Sequence, residues 1–361
     1  MAKVDKKYKI VNINTASPYP PYAKVLIIYT GGTLGMVRDK DGSLVAFKFN
    51  KIIEEMPSLR TLGLKLTVIS FPNPVDSSNI NHESWNDIGY IIKENHLQYD
   101  GFVILHGTDT MAYTASALSY MLEGLKKPVI FTGAQLPIGA RRTDARANLI
   151  TALEIASAKD EESGEPLVPE IAIYFDYQLF RGNRAQKIRS SQFAAFDSLN
   201  YPILAKAGVN IYYNYSAIGN GIDDKPFTFR YGFDPNVTFL KIFPSLGEQI
   251  VKNVLSTPGL HGVVMATYGS GNDPTNDSFL GILKDAIKNN IIIFNVSQCS
   301  GGRVVHGRYE TSKKLEDIGV VSGSDITSEA AVTKLMFLLG NFKDNNEIKH
   351  RLEQPLNGEM S

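Results

Sequence analysis

The chain has 361 residues, more than the ~250–300 at which a single hydrophobic core stops growing, so two domains are expected. Lysine plus arginine and aspartate plus glutamate each total 37, which leaves no formal net charge and excludes the broad basic field that nucleic acid or an anionic membrane surface requires. The expected partner is a small molecule, with no nucleic acid and no membrane.

The chain opens with MAKVDKKYKIVNINTASPYPPYAK, charged and then rich in proline and tyrosine, without the apolar run of roughly 7–15 residues that marks a secretory leader. No apolar run approaches the ~20 residues of a membrane span. The single cysteine, Cys299, permits no intrachain disulfide, and a cytoplasmic protein is expected.

Short apolar runs then alternate with helical patterns. KVLIIY (24–29), LTVISF (66–71), GFVILH (101–106), PVIFTG (128–133) and IAIYF (171–175) read as strands. The first four are rich in β-branched residues and bounded by Gly, Pro or Asn, as strands covered on both faces of a parallel sheet should be. SWNDIGYIIKENHL predicts a helix capped by Ser84, with Trp85, Ile88, Ile91, Ile92 and Leu97 near one face. TMAYTASALSYMLEGL predicts a second, opening at Thr110 and closing near Gly124. The adjacent arginines of GARRTDAR (139–146) read as solvated or ion-paired residues at a helix start.

This alternation predicts an α/β fold: a doubly wound N-terminal domain with a mainly parallel sheet, residues 1–213, and a smaller α/β C-terminal domain, 237–361. Strands are expected at 237–243, 262–269 and 289–297, with helices near 246–255, 276–289 and 328–340. The aperiodic stretch 214–236, with its Gly, Asp and Pro, is the linker candidate.

Ligands of doubly wound sheets sit beyond the carboxyl ends of the strands, which directs attention to three sequences: Thr30-Gly31-Gly32-Thr33, Asp76-Ser77-Ser78 and His106-Gly107-Thr108-Asp109-Thr110. A diglycine admits positive φ and close approach of main-chain N–H groups to a ligand, although the same residues also make an ordinary tight turn with a helix cap. Gly107-Thr108-Asp109 sets a hydroxyl and a carboxylate beside backbone donors. A threonine hydroxyl is a weak nucleophile unless a base or a lysine relay takes its proton. Lys187, in FRGNRAQKIRSS after the fifth strand, is the candidate cation, though by composition alone it reads as a surface lysine.

With these residues in hand, YTGGTLGM and LHGTDTMAYTASALSYML resemble the two signature motifs of the bacterial-type L-asparaginases, and PVDSSNI resembles their substrate-clamping loop. The likeness runs from about Lys24 to Gly340. YFDYQLFRGNRAQK and DSSN are more similar to the cytoplasmic type I branch than to the secreted type II branch. The resemblance implies an amidohydrolase that converts L-asparagine to L-aspartate and ammonia through an acyl-enzyme, without metal or cofactor. It assigns Thr33 as nucleophile and Thr108, Asp109 and Lys187 as a second triad that activates water. Gly32 and Gly107 would lend main-chain donors, Asp109 would accept from the substrate ammonium, Ser77 and Ser78 with nearby N–H groups would hold the carboxylate, and Asp76 is a further substrate-binding residue. Asn272, in YGSGNDP, would reach the site of a neighbouring subunit, which implies a homodimer or homotetramer.

The sequence departs from the family where its lid carries a tyrosine: the matching position is Ser43, so the resemblance assigns no base to Thr33 there. A glutamate that the second domain sometimes contributes has only Glu310 near the right place. The histidines show no metal-ligand spacing, and His106 is expected to make a structural hydrogen bond. Cys299 reads as a small buried filler or as part of a second, regulatory asparagine site. Two rival readings remain: an ammonia-releasing amidotransferase subunit of the asparaginase-like kind, and a non-catalytic amino-acid sensor.

Overall fold

The computed structural model describes residues 8–16, 18–38, 44–46, 56–222, 224–274, 276–305 and 310–361. The chain divides into two compact units. One comprises Met1–Ser198, Pro202–Asn220 and Asp224–Phe229, the other Leu199–Tyr201, Gly221–Asp223 and Arg230–Ser361.

In the first unit the strands are β1 (Lys9–Asn14), β2 (Ala23–Tyr29), β3 (Leu64–Ser70), β4 (Gly101–Leu105), β5 (Val129–Thr132), β6 (Ile171–Phe175) and β7 (Gln178–Arg181). A two-strand ribbon follows, β8 (Gln186–Lys187) with β9 (Phe196–Asp197), and then β10 (Ala205–Ala207) and β11 (Ile211–Tyr213). Among the described residues, nine of these form one sheet in the order β1-β3-β2-β4-β5-β6-β7-β10-β11. From β3 to β6 the pairing is parallel. These central strands are buried along their length, as their unbroken apolar runs require. The doubly wound α/β expectation holds.

The order of the parallel strands reverses between β2 and β4, so the crevice where a ligand binds opens between their carboxyl ends. Thr30 follows one of those strands and His106 the other. The fold therefore brings TGGT and HGTD to one place.

Helix α1 (His82–Asn95) buries Trp85, Ile88, Ile91 and Ile92, the face expected from its spacing. Its cap is Asn81, not Ser84: the Asn81 side chain accepts from the N–H groups of Glu83 and Ser84, both at 3.1 Å, and the Ser84 hydroxyl donates to the same oxygen. Leu97 lies beyond the helix and is exposed. Helix α2 (Met111–Met121) is buried nearly all round, which is the physical meaning of its weak amphipathic period. Helix α3 (Ala145–Ser157) covers β5, β4, β2 and β6.

Beyond β6 the sheet turns antiparallel. Asp176 and Tyr177 both have positive φ, 46° and 64°, and form the two-residue turn of the β6–β7 hairpin. Paired left-handed residues match the right-handed twist of flanking strands. β7 ends in Arg181, whose fully buried guanidinium meets Glu170 at 2.7 Å and donates to the carbonyls of Asn220 and Ala217. β1, an antiparallel edge strand on β3, was not legible as a strand because most of it is exposed and its apolar side is short. Within 214–236, Thr228–Phe229 pairs antiparallel with Leu122–Glu123.

The second unit carries a parallel sheet of β12 (Val237–Lys241), β13 (Gly262–Thr267), β14 (Ile292–Ser297) and β15 (Val321–Ser322). Helices α4 (Glu248–Leu255) and α5 (Asp277–Lys288) pack Val251, Leu255, Phe279 and Leu283 into a core with Val263 and Met265. Helices α6 (Glu310–Ile318), α7 (Ser328–Asn341) and α8 (Asn345–Glu353) complete it. Lys334 on α7 is fully buried against Glu359 at 2.7 Å, and the Leu356 and Asn357 N–H groups help hold the Glu359 carboxyl below the ordinary carboxylate range.

Candidate active site

Between β2 and a single 3-10 turn, Thr33–Gly35, lie Thr30, Gly31 and Gly32. Thr30 is fixed from both sides. Its N–H and hydroxyl donate to the Leu105 carbonyl at 3.1 and 3.0 Å, and its own carbonyl accepts from Val75 N–H at 2.8 Å. Gly31 and Gly32 adopt φ of 142° and 85°. A Cβ on Gly32 would stand 2.5 Å from the Gly107 nitrogen, so only glycine lets the first turn lie directly on the second. Thr33 is half-buried, and its hydroxyl has no hydrogen-bond partner among the described residues.

The second turn is fixed from beneath by His106, which is buried and donates its backbone N–H to Thr132 at 3.0 Å. Its Nδ1 lies 2.7 Å from the Gly107 carbonyl, which can only accept, so Nδ1 carries the proton. Nε2 then accepts from the Thr114 hydroxyl at 2.9 Å, and that hydroxyl accepts from the Trp85 indole at 3.1 Å. Burial pushes the imidazole down to about 4, so it stays neutral and keeps this single tautomer near neutral pH. The structural role expected of His106 holds. Sequence reading missed Trp85 and Thr114 as its supports, since only packing of α1 on α2 brings them together.

Thr110 follows at the N-cap of α2, but its hydroxyl donates to the Ser77 carbonyl at 2.7 Å instead of capping the helix. This bond ties the Asp76–Ser78 loop to the HGTD turn. Ser77 is buried, its hydroxyl lying where a Gly107 side chain would begin. Asp76 Oδ1 accepts from both the N–H and the hydroxyl of Ser78 at 3.0 Å, and the backbone donor in particular holds the Asp76 carboxyl below its ordinary range. The Ser78 hydroxyl proton is thus directed at Asp76. A carboxylate ligand would have to displace it or use main-chain donors.

Lys187 arrives from the β8–β9 ribbon, where it pairs with Phe196, itself buried against Phe175 with ring centroids 5.2 Å apart. Its Nζ donates to Thr108 Oγ1 at 2.8 Å and to Asp109 Oδ1 at 2.5 Å. The side chain is 15% exposed, against 66% for Asp109, so the lysine is no solvated surface residue. An ammonium donating to the Thr108 oxygen leaves the hydroxyl proton free to point elsewhere, and it lowers the cost of negative charge on that oxygen.

The structure therefore brings Gly32, Gly107, Ser77, Thr108, Asp109 and Lys187 together and sets Thr33 one residue beyond the Gly32–Gly107 contact. Asn272 belongs to the second unit, in a turn closed by reciprocal N–H···O bonds of 2.9 Å with Tyr268. Cys299 is exposed, not a buried filler, because it sits in the loop after β14 with its N–H donated to the Ser297 hydroxyl. Ser43 lies outside the described residues; Glu310 opens α6, and its side chain lies outside them as well. Among the described residues no group of three His, Cys, Asp or Glu side chains could hold a metal ion.

Asp273 is one of the buried acids that escaped the sequence reading. It lies beside Asn272 and is 7% exposed, and neither carboxyl oxygen has a side-chain partner or a neighbouring backbone donor among the described residues. Burial pushes its carboxyl up to about 7. The folded state then holds a proton that the unfolded state releases near pH 4, so stability falls as pH rises from about 4 to about 7 and stays low above that. Asp273→Ala should raise thermal stability at pH 8, by up to ~4 kcal/mol on the linkage relation, and the gain should shrink toward pH 4. Melting curves across that range check it; a gain independent of pH would contradict it.

Residues 24–219 match the family model described as Asparaginase, N-terminal, and residues 236–352 match the Glutaminase/Asparaginase C-terminal domain. The chain belongs to the asparaginase family. Within that family it is similar to L-asparaginase 1 of Escherichia coli (strain K12), 37% identical over 341 residues that span 93% of this chain and 98% of that one. The crystal structure of L-asparaginase I from Vibrio cholerae superposes with a TM-score of 0.84 at 36% identity, over 94% of this chain and 99% of that one. The thermostable L-asparaginase from Thermococcus kodakarensis does so at the same TM-score and 32% identity, also over 94% and 99%. The two-domain asparaginase fold and the type I likeness expected from the motifs agree with these matches. No helix among the described residues is long and apolar enough to cross a membrane.

Proposed function

We propose that the chain hydrolyses the side-chain amide of L-asparagine, giving L-aspartate and ammonia, with Thr33 as nucleophile. The observation that carries the reading is the Lys187 ammonium held between Thr108 Oγ1 and Asp109 Oδ1, on a turn packed against the Thr33 turn. Thr33 Oγ bonds to the amide carbon, its proton passes to the departing nitrogen, and the C–N bond breaks to release ammonia. Water, positioned by Thr108 and Lys187, then adds to the acyl carbon; the ester bond breaks and Thr33 regains its proton. Main-chain N–H groups of Gly32–Leu34 and Gly107–Thr108 stabilise the oxyanion, each such donor being worth about 3–4 kcal/mol in the transition state. The His106 contact fixes the Gly107–Thr108 peptide plane, and with it the direction of the Thr108 N–H.

Asp109 accepts from the substrate ammonium, and Ser77 and Ser78, with main-chain N–H groups of their loop, receive the α-carboxylate, which takes the Ser78 hydroxyl from Asp76. The reading assigns 1–213 to the catalytic domain, 214–236 to a linker and 237–361 to a domain whose Asn272 completes the site of a neighbouring subunit, in a homodimer or homotetramer. Cytoplasmic residence is consistent with the single, exposed Cys299. The chemistry needs neither metal nor cofactor.

Ammonia release from L-asparagine, L-glutamine and D-asparagine by one purified sample tests the proposal. Turnover of L-asparagine is expected, with glutamine slower by the ~1–3 kcal/mol that one methylene discriminates. Stoichiometric binding of asparagine without ammonia release would favour an amino-acid sensor.

A further inference from the structure

Thr33 is aimed by a turn that is held at two ends, and only one of them belongs to the motif already described. On the N-terminal side Gly32 lies against the Gly107 backbone. On the C-terminal side the turn ends at Gly35, whose carbonyl accepts a hydrogen bond of 2.9 Å from the hydroxyl of Tyr29. Tyr29 is the last residue of β2, the central strand beside the switch point, and only 1% of it is exposed. Its ring also sets the depth of the turn. A Cβ on Gly35 would fall 2.3, 2.4 and 2.6 Å from Tyr29 Cε2, Cζ and the hydroxyl oxygen, so the glycine Cα rests directly on the ring. Gly35 is glycine here for want of space: its φ is not among the positive values.

We infer that Tyr29 is a positioning residue for Thr33, clamping the C-terminal end of its turn through the Gly35 carbonyl. The inference rests on the reading of Thr33 as nucleophile. Only Thr33 and Leu34 lie between the two anchors, and a 3-10 turn of three residues has too few internal bonds to hold a hydroxyl to the few tenths of an ångström that attack on a carbon requires. The phenol, neutral because burial raises it to about 12, remains a donor throughout the working range and adds no titration of its own. Its strand neighbours on both sides pin it in place.

Tyr29→Phe removes the hydroxyl that donates to the Gly35 carbonyl and keeps the ring under Gly35. It is expected to lower kcat for L-asparagine about 10- to 100-fold, with KM within about twofold, since the substrate contacts are untouched and only the geometry of attack is lost. Gly35→Ala, which drives a methyl into the ring, should give the same split, and the double variant should lose no more than the worse single variant because both act on one contact. A wild-type kcat in Tyr29→Phe, or a kcat that falls only in proportion to the folded fraction measured by circular dichroism, overturns the inference. Should Tyr29→Phe fail to fold, Gly35→Ala carries the test: loss of kcat at constant KM supports the clamp and unchanged kcat overturns it. Full turnover by Thr33→Ala would remove the nucleophile reading and the clamp with it. An inactive Thr33→Ala beside a fully active Tyr29→Phe removes the clamp alone.

Discussion

Replacement of Thr33 by alanine is expected to cut asparagine turnover by about 10⁴-fold or more while leaving the fold intact. The size follows from the role: without its Oγ there is no acyl-enzyme, and what remains is binding and oxyanion stabilisation acting on direct attack by water. The fold should survive because the half-buried Thr33 hydroxyl has no partner among the described residues to lose, and the turn is held at its flanks by Gly32 and Gly35. Thr33→Ser keeps a hydroxyl on the same turn but gives up the methyl that restricts its rotamers, so partial activity is expected. Steady-state kinetics with far-ultraviolet circular dichroism check both. A Thr33→Ala variant that turns over at the wild-type rate would contradict the assignment.

The second large effect is expected at Lys187. Methionine matches the length of the lysine stem and fills the same half-buried space, so Lys187→Met removes the ammonium and little else. Thr108 then loses the donor at 2.8 Å that eases negative charge on its oxygen, and Asp109 loses its counter-charge at 2.5 Å. A proton relay acts chiefly in the transition state, so kcat should fall by about 10²–10⁴-fold with a much smaller change in KM. Stability should change little, because Asp109 is largely exposed and such pairs contribute little to folding. An unchanged kcat would make Lys187 a support of the β8–β9 ribbon and nothing more.

Most of the scaffold was legible because burial leaves a strong mark on sequence. Strands such as GFVIL and IAIYF are apolar at every position, which is what a strand covered on both faces demands, and the turns at their carboxyl ends carry Gly, Asp and Thr. The rule that ligands gather at strand ends then selected the TGGT, DSS and HGTDT turns, and the family resemblance named Thr33, Thr108 and Asp109 within them. Lys187 was harder: it lies 79 residues from Thr108 in sequence and meets it only because the Phe196 pairing folds the ribbon back.

Features that depend on contact between distant segments were not legible. The sequence pattern places the cap of α1 at Ser84, and only the geometry of the helix entrance shows it to be Asn81, three residues earlier. Nothing in HGTD announces that Thr114 and Trp85 support the His106 ring from its Nε2 side. The buried carboxyl of Asp273 cannot be read from a loop whose composition looks solvated, since the burial that defines it is a property of packing. The same holds for Tyr29: before TGGT it reads as one more apolar strand residue, and its bond to Gly35 appears only once the turn is built.

The claim at the centre of the account is a covalent aspartyl ester on Thr33, and it can be observed directly. Thr108→Val should acylate and then stall, because the hydroxyl that positions the second-step water is gone. Rapid acid quench of that variant with L-asparagine, followed by intact-mass and peptide analysis, should show one aspartyl group added per chain, located on the peptide that carries Thr33. An adduct on any other residue, or burst-free ammonia release with no adduct at any time point, would contradict it.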